Sequence, residues 1–358
     1  MKAVRLYGPE DLRIDDVEEP GAPEPGWVTL DIGWAGICGS DLHLYQDGPQ
    51  FPITPAEGKP HPVTGAELPF TLGHEFSGTV TAVGDGVKEL SEGDRVAVMA
   101  GVSCGECVAC AAGKSNICRK VWGLGLSGAG GGLSAAVNVP AHVAVPVGNM
   151  PLEHAAMIEP LSVATHAVRL AGVKKGDIVV IAGAGPIGVF VSAVVTARGA
   201  RVIISEPNAA RLKMALDTGV AEIGLNPMEE DLEEKVREIS QGRFADVAFD
   251  CAGALPVIRP LAATLHPGGT LQLVAIPSKP LEFDVLSQLH LTEIRVQGSY
   301  GYTREDYDES IEKVRSGAID LAPYVSAKIA PADIVEKGFA ALLDRAGTAM
   351  KILVAPER

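Results

Sequence analysis

Apolar residues come in two rhythms along this chain. Up to about residue 150 they fall in short runs between turn residues, as in Met1–Leu6, Trp27–Trp34, Phe76–Val83 and Arg95–Ala100. Short runs rich in Val and Thr and punctuated by Gly and Pro predict a mainly β domain. From about Glu153 the texture changes to helical segments alternating with short apolar strands. Ile178–Ala182, Val202–Ser205, Asp246–Asp250, Leu271–Ile276 and Ile294–Gly298 read as strands. Pro186–Arg198, Asn208–Asp217, Glu229–Ile239 and Leu255–Leu265 read as the helices between them. Such βαβ alternation predicts an α/β chain with a doubly wound parallel sheet. A helix over Arg304–Ser316 and a last strand over Lys351–Ala355 are expected to return to the β domain. That makes the first domain discontinuous, residues 1–155 and 296–358, around an inserted domain at 156–295.

One stretch, Ile178–Ala197, runs for twenty residues without a charge and has the length of a membrane span. Gly183, Gly185, Pro186 and Gly188 interrupt it, so it reads as strand, turn and helix. The length of 358 residues suits two domains, and an apolar fraction of 47% suits packed cores. A net charge of −15 disfavours nucleic acid and anionic membranes as partners. Met1–Asp16 shows no secretory pattern, and a cytoplasmic protein is expected.

The candidate chemistry begins at Gly183-Ala184-Gly185-Pro186-Ile187-Gly188, a G-x-G-x-x-G turn between a strand and a helix. Gly183 permits the tight turn, Gly185 lets backbone approach a pyrophosphate, and Gly188 lets helix and strand pack closely. The helix N-terminus attracts phosphate. Glu206, eighteen residues beyond Gly188, ends the next strand, where a carboxylate accepts from ribose hydroxyls. The same charge repels a 2′-phosphate, so NAD is expected in a Rossmann domain. Arg211 partly offsets that repulsion or flanks the adenine ribose.

Four of the six cysteines, Cys104, Cys107, Cys110 and Cys118, crowd into fifteen residues. Spaced by two, two and seven residues, four thiolates can close around one tetrahedral Zn²⁺ with a structural role. An iron–sulfur cluster uses the same donors, but nothing else suggests electron transfer. Disulfides conflict with the expected compartment.

Elsewhere stand Cys38-Gly39-Ser40-Asp41, Gly73-His74-Glu75 and Glu159-Pro160. Cys, His and carboxylates suit a catalytic zinc, but spacing alone does not join positions so far apart. With the cysteine loop and the Gly183–Gly188 turn, these motifs occur in an order that resembles zinc-containing medium-chain dehydrogenases along essentially the whole chain. The resemblance implies a GroES-like catalytic domain beside the Rossmann domain. Glu159 sits where alcohol dehydrogenases of the family carry a second catalytic cysteine, which resembles the polyol branch with its sorbitol and butanediol dehydrogenases. The segment from Lys59 to Gly65, running into Leu72–Gly78, looks most like the 2,3-butanediol dehydrogenase members.

Carried over residue by residue, the resemblance implies Cys38, His74 and Glu159 around the catalytic zinc. Glu75 adjoins it and ligates directly or through water. Asp41 orients the ligand histidine, while Ser40 and His43 form a proton relay to solvent. Val163, Ala275 and Ser299 would flank the nicotinamide half of the cofactor. The implied protein holds two Zn²⁺ and NAD, and forms a homodimer or homotetramer. It oxidises a secondary alcohol, such as the diol 2,3-butanediol to acetoin, or reverses that reaction. Sorbitol or L-threonine oxidation is the alternative within the family. A non-catalytic NAD-binding or redox-sensing protein is the alternative outside it. Lys351 is expected to reach the pyrophosphate or lie exposed, and His61 to line the substrate cleft or sit in a loop. Cys251 reads as a packing thiol.

Overall fold

The strand Trp27–Gly36 alternates buried and half-buried positions over most of its length, the period of a strand with one face in a core. In the computed structural model, which describes residues 1–277, 279–344 and 346–357, it is the hub of a seven-stranded, mostly antiparallel sheet. It pairs with Glu75–Val83, with Ala136–Pro140 and, near its end, with Lys351–Val354. Arg95–Val98 and Ala144–Pro146 extend the sheet beyond Glu75–Val83, and Val325–Ile329 lies parallel to Lys351–Val354. A three-stranded sheet of Lys2–Gly8, Asp11–Asp16 and Phe70–Thr71 and a two-stranded one of Gly101–Val102 and Trp122–Gly123 belong to the same β unit. Gly36 stands opposite both Glu75 and Leu353.

The second unit is built on six strands, all parallel. Their order is Ile223–Leu225, Arg201–Ser205, Ile178–Ala182, Ala245–Asp250, Leu265–Leu273 and Arg295–Gly298. The direction of winding reverses between Ile178–Ala182 and Ala245–Asp250, the switch point at which such sheets bind ligands. Every residue of Ile178–Ala182 is buried, as expected of a central parallel strand. The helix Pro186–Ala197 is buried continuously from Gly188 to Val195, which explains the charge-free run: it is a core helix. Among the described residues no helix is long and apolar enough to cross a membrane.

Several boundaries differ from the sequence reading. The helix expected from Glu229 starts at Leu232, because Asp231 caps it by accepting the Glu234 N–H at 2.8 Å. The strand expected over Leu271–Ile276 runs Leu265–Leu273, with its ladder irregular between Ala245 and Val247. Ile223–Leu225 escaped notice because three residues carry no readable period. The division of the chain also shifts from 155/156 and 295/296. By internal contacts one unit takes Met1–Glu159, Thr303–Arg315 and the chain from Leu321, and the other takes Pro160–Tyr302 and Ser316–Asp320. The strand Arg295–Gly298 belongs to the second because it pairs with Thr270–Leu273.

Candidate active site

The loop Cys104–Cys118 folds on itself through a short helix, Val108–Ala111, with Cys107 at its N-cap. Sulfur–sulfur distances are 3.4 Å for Cys104–Cys118, 3.6 Å for Cys107–Cys110 and 3.8 Å for Cys107–Cys118. A tetrahedron with metal–sulfur bonds of ~2.3 Å has edges of about 3.8 Å, so the four donors fit one zinc ion. All six cysteines of the chain are free thiols. The Cys110 backbone N–H draws the Cys107 thiol down to about 6, whereas burial pushes Cys118 up to about 11. A bound cation would hold all four as thiolates.

The second centre is assembled from distant pieces. Cys38 is the N-cap of the helix Gly39–Asp47, and His74 and Glu75 open the next long strand, Glu75–Val83, after Gly73 at φ 95°. The ligand atoms of Cys38, His74 and Glu75 all lie within 4.8 Å of one another. Asp41, fully buried, ties two of them: Oδ2 accepts the Cys38 backbone N–H at 2.9 Å, and Oδ1 faces His74 Nδ1 at 3.5 Å. That turns the other ring nitrogen, Nε2, away from Asp41; it lies 3.1 Å from Ser40 Oγ. Burial works against a charged His74, but Asp41 and Cys38 outweigh it and raise its pKa well above the ordinary value. The field here favours a cation, and Cys, His and carboxylate are suitable donors for zinc.

Glu159 is also buried, in the first turn of the helix Ile158–Ala171, but it stands outside the group of three. Its charge is felt nearby: after burial, Glu159 is the next cause of the raised Tyr307 pKa, and it contributes to raising Lys351. His43 is exposed on the Gly39–Asp47 helix, with Nδ1 3.3 Å from Asp47 Oδ2 one turn further on.

Lys351 corrects the sequence reading. It neither lies exposed nor reaches towards a pyrophosphate; its ammonium is buried and bonds both Glu75 oxygens, at 2.7 and 2.6 Å. Strand pairing explains this, since Lys351–Val354 runs beside the end of Trp27–Gly36, which is opposite Glu75. The signal available in the sequence was one charge leading an otherwise apolar strand. His61 is a buried loop residue, its Nδ1 accepting the Thr64 backbone N–H at 3.1 Å. Cys251 follows the strand Ala245–Asp250, where burial and Asp250 push its thiol pKa up; a Cβ on Gly188 would touch it.

In the second unit the glycine turn has the form its residues suggest. Gly183 has φ 97°, a conformation that disfavours a side chain. A Cβ on Gly188 would lie 1.9 Å from the Gly183 carbonyl oxygen, so helix and turn touch only because it is glycine. Gly185 has open space where its Cβ would be. It is the N-cap of Pro186–Ala197 and offers no capping side chain, leaving first-turn N–H groups, including that of Ile187, for an anion. Glu206 accepts the Ala184 N–H at 2.7 Å and the Asn208 N–H at 2.8 Å, which brings its carboxylate to this turn. Two buried polar atoms, Arg211 Nε and Ser299 Oγ, have no hydrogen-bond partner among the described residues. Ala275 and Ser299 follow the ends of neighbouring strands, and Val163 is half-buried on the helix Ile158–Ala171. Unpaired polar atoms and an uncapped helix end are what a dinucleotide would satisfy.

A zinc loop, a buried Cys/His/carboxylate centre and a dinucleotide turn on a parallel sheet define a zinc-dependent dehydrogenase. Residues 24–149 match the alcohol dehydrogenase GroES-like domain and residues 186–316 the zinc-binding dehydrogenase domain. The chain belongs to the zinc-containing medium-chain dehydrogenases, and is a butanediol-dehydrogenase-like alcohol or polyol dehydrogenase. It is 39% identical to an (R,R)-butanediol dehydrogenase of Neisseria gonorrhoeae over 99% of both chains. It is 37% identical to a 2-dehydro-3-deoxy-L-galactonate 5-dehydrogenase of Pseudoalteromonas atlantica over 87% of each. The crystal structure of 2R,3R-butanediol dehydrogenase from Bacillus subtilis superposes with a TM-score of 0.91 at 34% identity, covering 99% of both chains. The family fold implies NAD(P) and two zinc ions, and the donor sets described above fit both metals.

Proposed function

We propose that the protein oxidises (R,R)-2,3-butanediol to acetoin with NAD and catalyses the reverse reduction. The observation that carries this reading is the full-length likeness to (R,R)-butanediol dehydrogenase. A metal centre rich in carboxylates, Glu75 and Glu159, agrees with it. When bound, zinc would supply Lewis-acid polarisation of a hydroxyl oxygen, and NAD a hydride acceptor.

The side chains take complementary roles. Cys38, His74 and Glu159 hold the metal, with Glu75 beside them. Asp41 orients both the Cys38 backbone and the His74 ring. Ser40 Oγ accepts the proton of the substrate hydroxyl as its own proton passes on towards His43, which releases it to solvent; the exposure of His43 supports that exit. Glu206 favours NAD, because its carboxylate at the glycine turn repels a 2′-phosphate. Val163, Ala275 and Ser299 flank the nicotinamide half.

The test is NAD(P) reduction with butanediol stereoisomers, sorbitol, L-threonine, sugar acids and ethanol, each with both cofactors. The (R,R)-diol with NAD should give the largest kcat/KM. A diol rate no better than that with ethanol would sink the substrate claim, and a preference for NADP would sink the role of Glu206.

A homodimer or homotetramer is part of the same reading. Its support is the open edge strand Arg295–Gly298, on which Val296 is exposed, with the exposed apolar residues Leu291 and Tyr300 a few positions to either side along the chain. Light scattering should find more than one chain per particle in the native protein and a smaller particle for Val296→Lys; a native monomer would refute it.

A further inference from the structure

The Glu75 carboxylate lies in a recess shaped by two separate segments, Gly36–Ile37 and the start of the last strand. Gly36 stands opposite Glu75 in the ladder, and a Cβ there would sit 2.3 Å from Oε2. Lys351 bonds both carboxylate oxygens and also donates to the Ile37 carbonyl at 3.2 Å. Side-chain exposure of the pair is 2% for Lys351 and 0% for Glu75.

Stability alone is a poor reason for such a pair. Desolvating two charges costs about as much as their attraction returns, and an apolar replacement of both is often neutral or better. The neighbours Ile352, Leu353 and Val354 are all buried and apolar, so an apolar residue would suit the strand. What the pair does accomplish is geometric. A carboxylate oxygen of Glu75 lies within 4.8 Å of the Cys38 and His74 donors, close enough for a metal held there to compete for it. With Cys38, His74 and Glu159 as the proposed three ligands, Glu75 would be a fourth and would close the position a catalytic zinc keeps open to substrate.

We propose that Lys351 is a positioning residue that holds Glu75 off the catalytic metal and so keeps a coordination position open. This rests on the assignment of that metal centre. Without the ammonium, the buried carboxylate turns to the metal, the neighbouring cation. Lys351 thereby separates two functions of one site, tight retention of the ion and access of substrate to it.

Two readouts other than turnover test this: zinc release to a chromogenic chelator, and the visible d–d spectrum of the Co²⁺-substituted protein. In Lys351→Met, zinc release from the catalytic centre should slow by about tenfold, the scale on which groups around a metal tune its affinity. The cobalt bands should weaken as coordination number rises. Lys351→Arg should restore both readouts, and adding Glu75→Gln to Lys351→Met should abolish the slowing.

Glu75→Gln alone keeps the test decisive if Lys351→Met does not fold. With Lys351 in place, this variant should leave the cobalt spectrum and zinc release unchanged, because Glu75 is not a ligand at rest. Faster zinc loss with an altered cobalt spectrum in Glu75→Gln would overturn the proposal while leaving the metal assignment intact. A native protein with only the Cys104–Cys118 zinc would overturn the assignment, and the proposal with it.

Discussion

The two metal centres are built on opposite plans. The cysteine loop takes its four donors from fifteen consecutive residues, with one donor type and no open position. The other centre brings Cys38 and His74 together from separate elements, sets the Glu75 carboxylate beside them, and buries His74 and Glu75. It also recruits charges that bind no metal themselves: Asp41 behind His74, and Lys351 on Glu75 from 276 residues away. A closed local site serves the stability of its own loop. A site assembled by the whole β unit leaves room for substrate and must be held in shape by its surroundings.

The sharpest way to break this contrast is to remove one ligand from each centre. Cys38→Ala should lower kcat/KM by roughly a thousandfold or more, the scale of losing a Lewis acid, with Tm little changed. Cys107→Ser should do the reverse. It should lower Tm and expose the loop to proteolysis, since metal binding there is folding free energy, while folded molecules retain turnover. If Cys107→Ser abolished turnover at full Tm, the division of labour would be wrong.

A smaller effect tests the supporting charge. Asp41→Asn keeps the shape but weakens the hold on His74, and should cost about 10–100-fold in metal affinity or activity. Titrating zinc into the apo-protein measures it, and unchanged affinity and turnover would remove Asp41 from the account.

The smallest effect concerns His61, which belongs to neither donor group. Burial holds its pKa below the ordinary value, and its Nδ1 accepts N–H groups only when unprotonated. Below about pH 6.5 the unfolded chain therefore binds more protons than the fold at this residue. Its contribution to stability is present above that pH and is lost as pH falls towards the depressed folded value. Thermal melts between pH 7 and 5 should show a decline of a few degrees that is smaller in His61→Gln. An equal decline in both proteins would assign the effect to other groups.

How much of this was legible in the sequence follows from the same contrast. The cysteine loop could be read from spacing alone, because one short segment wraps one ion. The parallel sheet showed in the rhythm of apolar runs, since strands such as Ile178–Ala182 are buried at every residue. The catalytic donors could be joined only through resemblance, for strand pairing and not spacing brings Cys38 to His74. Lys351 was misread because its environment is set by the pairing of the last strand with Trp27–Gly36. Glu159, the proposed third ligand, could likewise be joined to Cys38 and His74 only through resemblance, being buried in the first turn of a helix far along the chain. Its backbone lies in a helix, where turn geometry and not sequence spacing sets the direction of the carboxylate.

The most direct measurement is the zinc content of the purified protein, counted per chain beside its activity. Two zincs in the native protein are predicted, with one retained and turnover lost in Cys38→Ala. One zinc per native chain at full turnover would contradict the account at its centre.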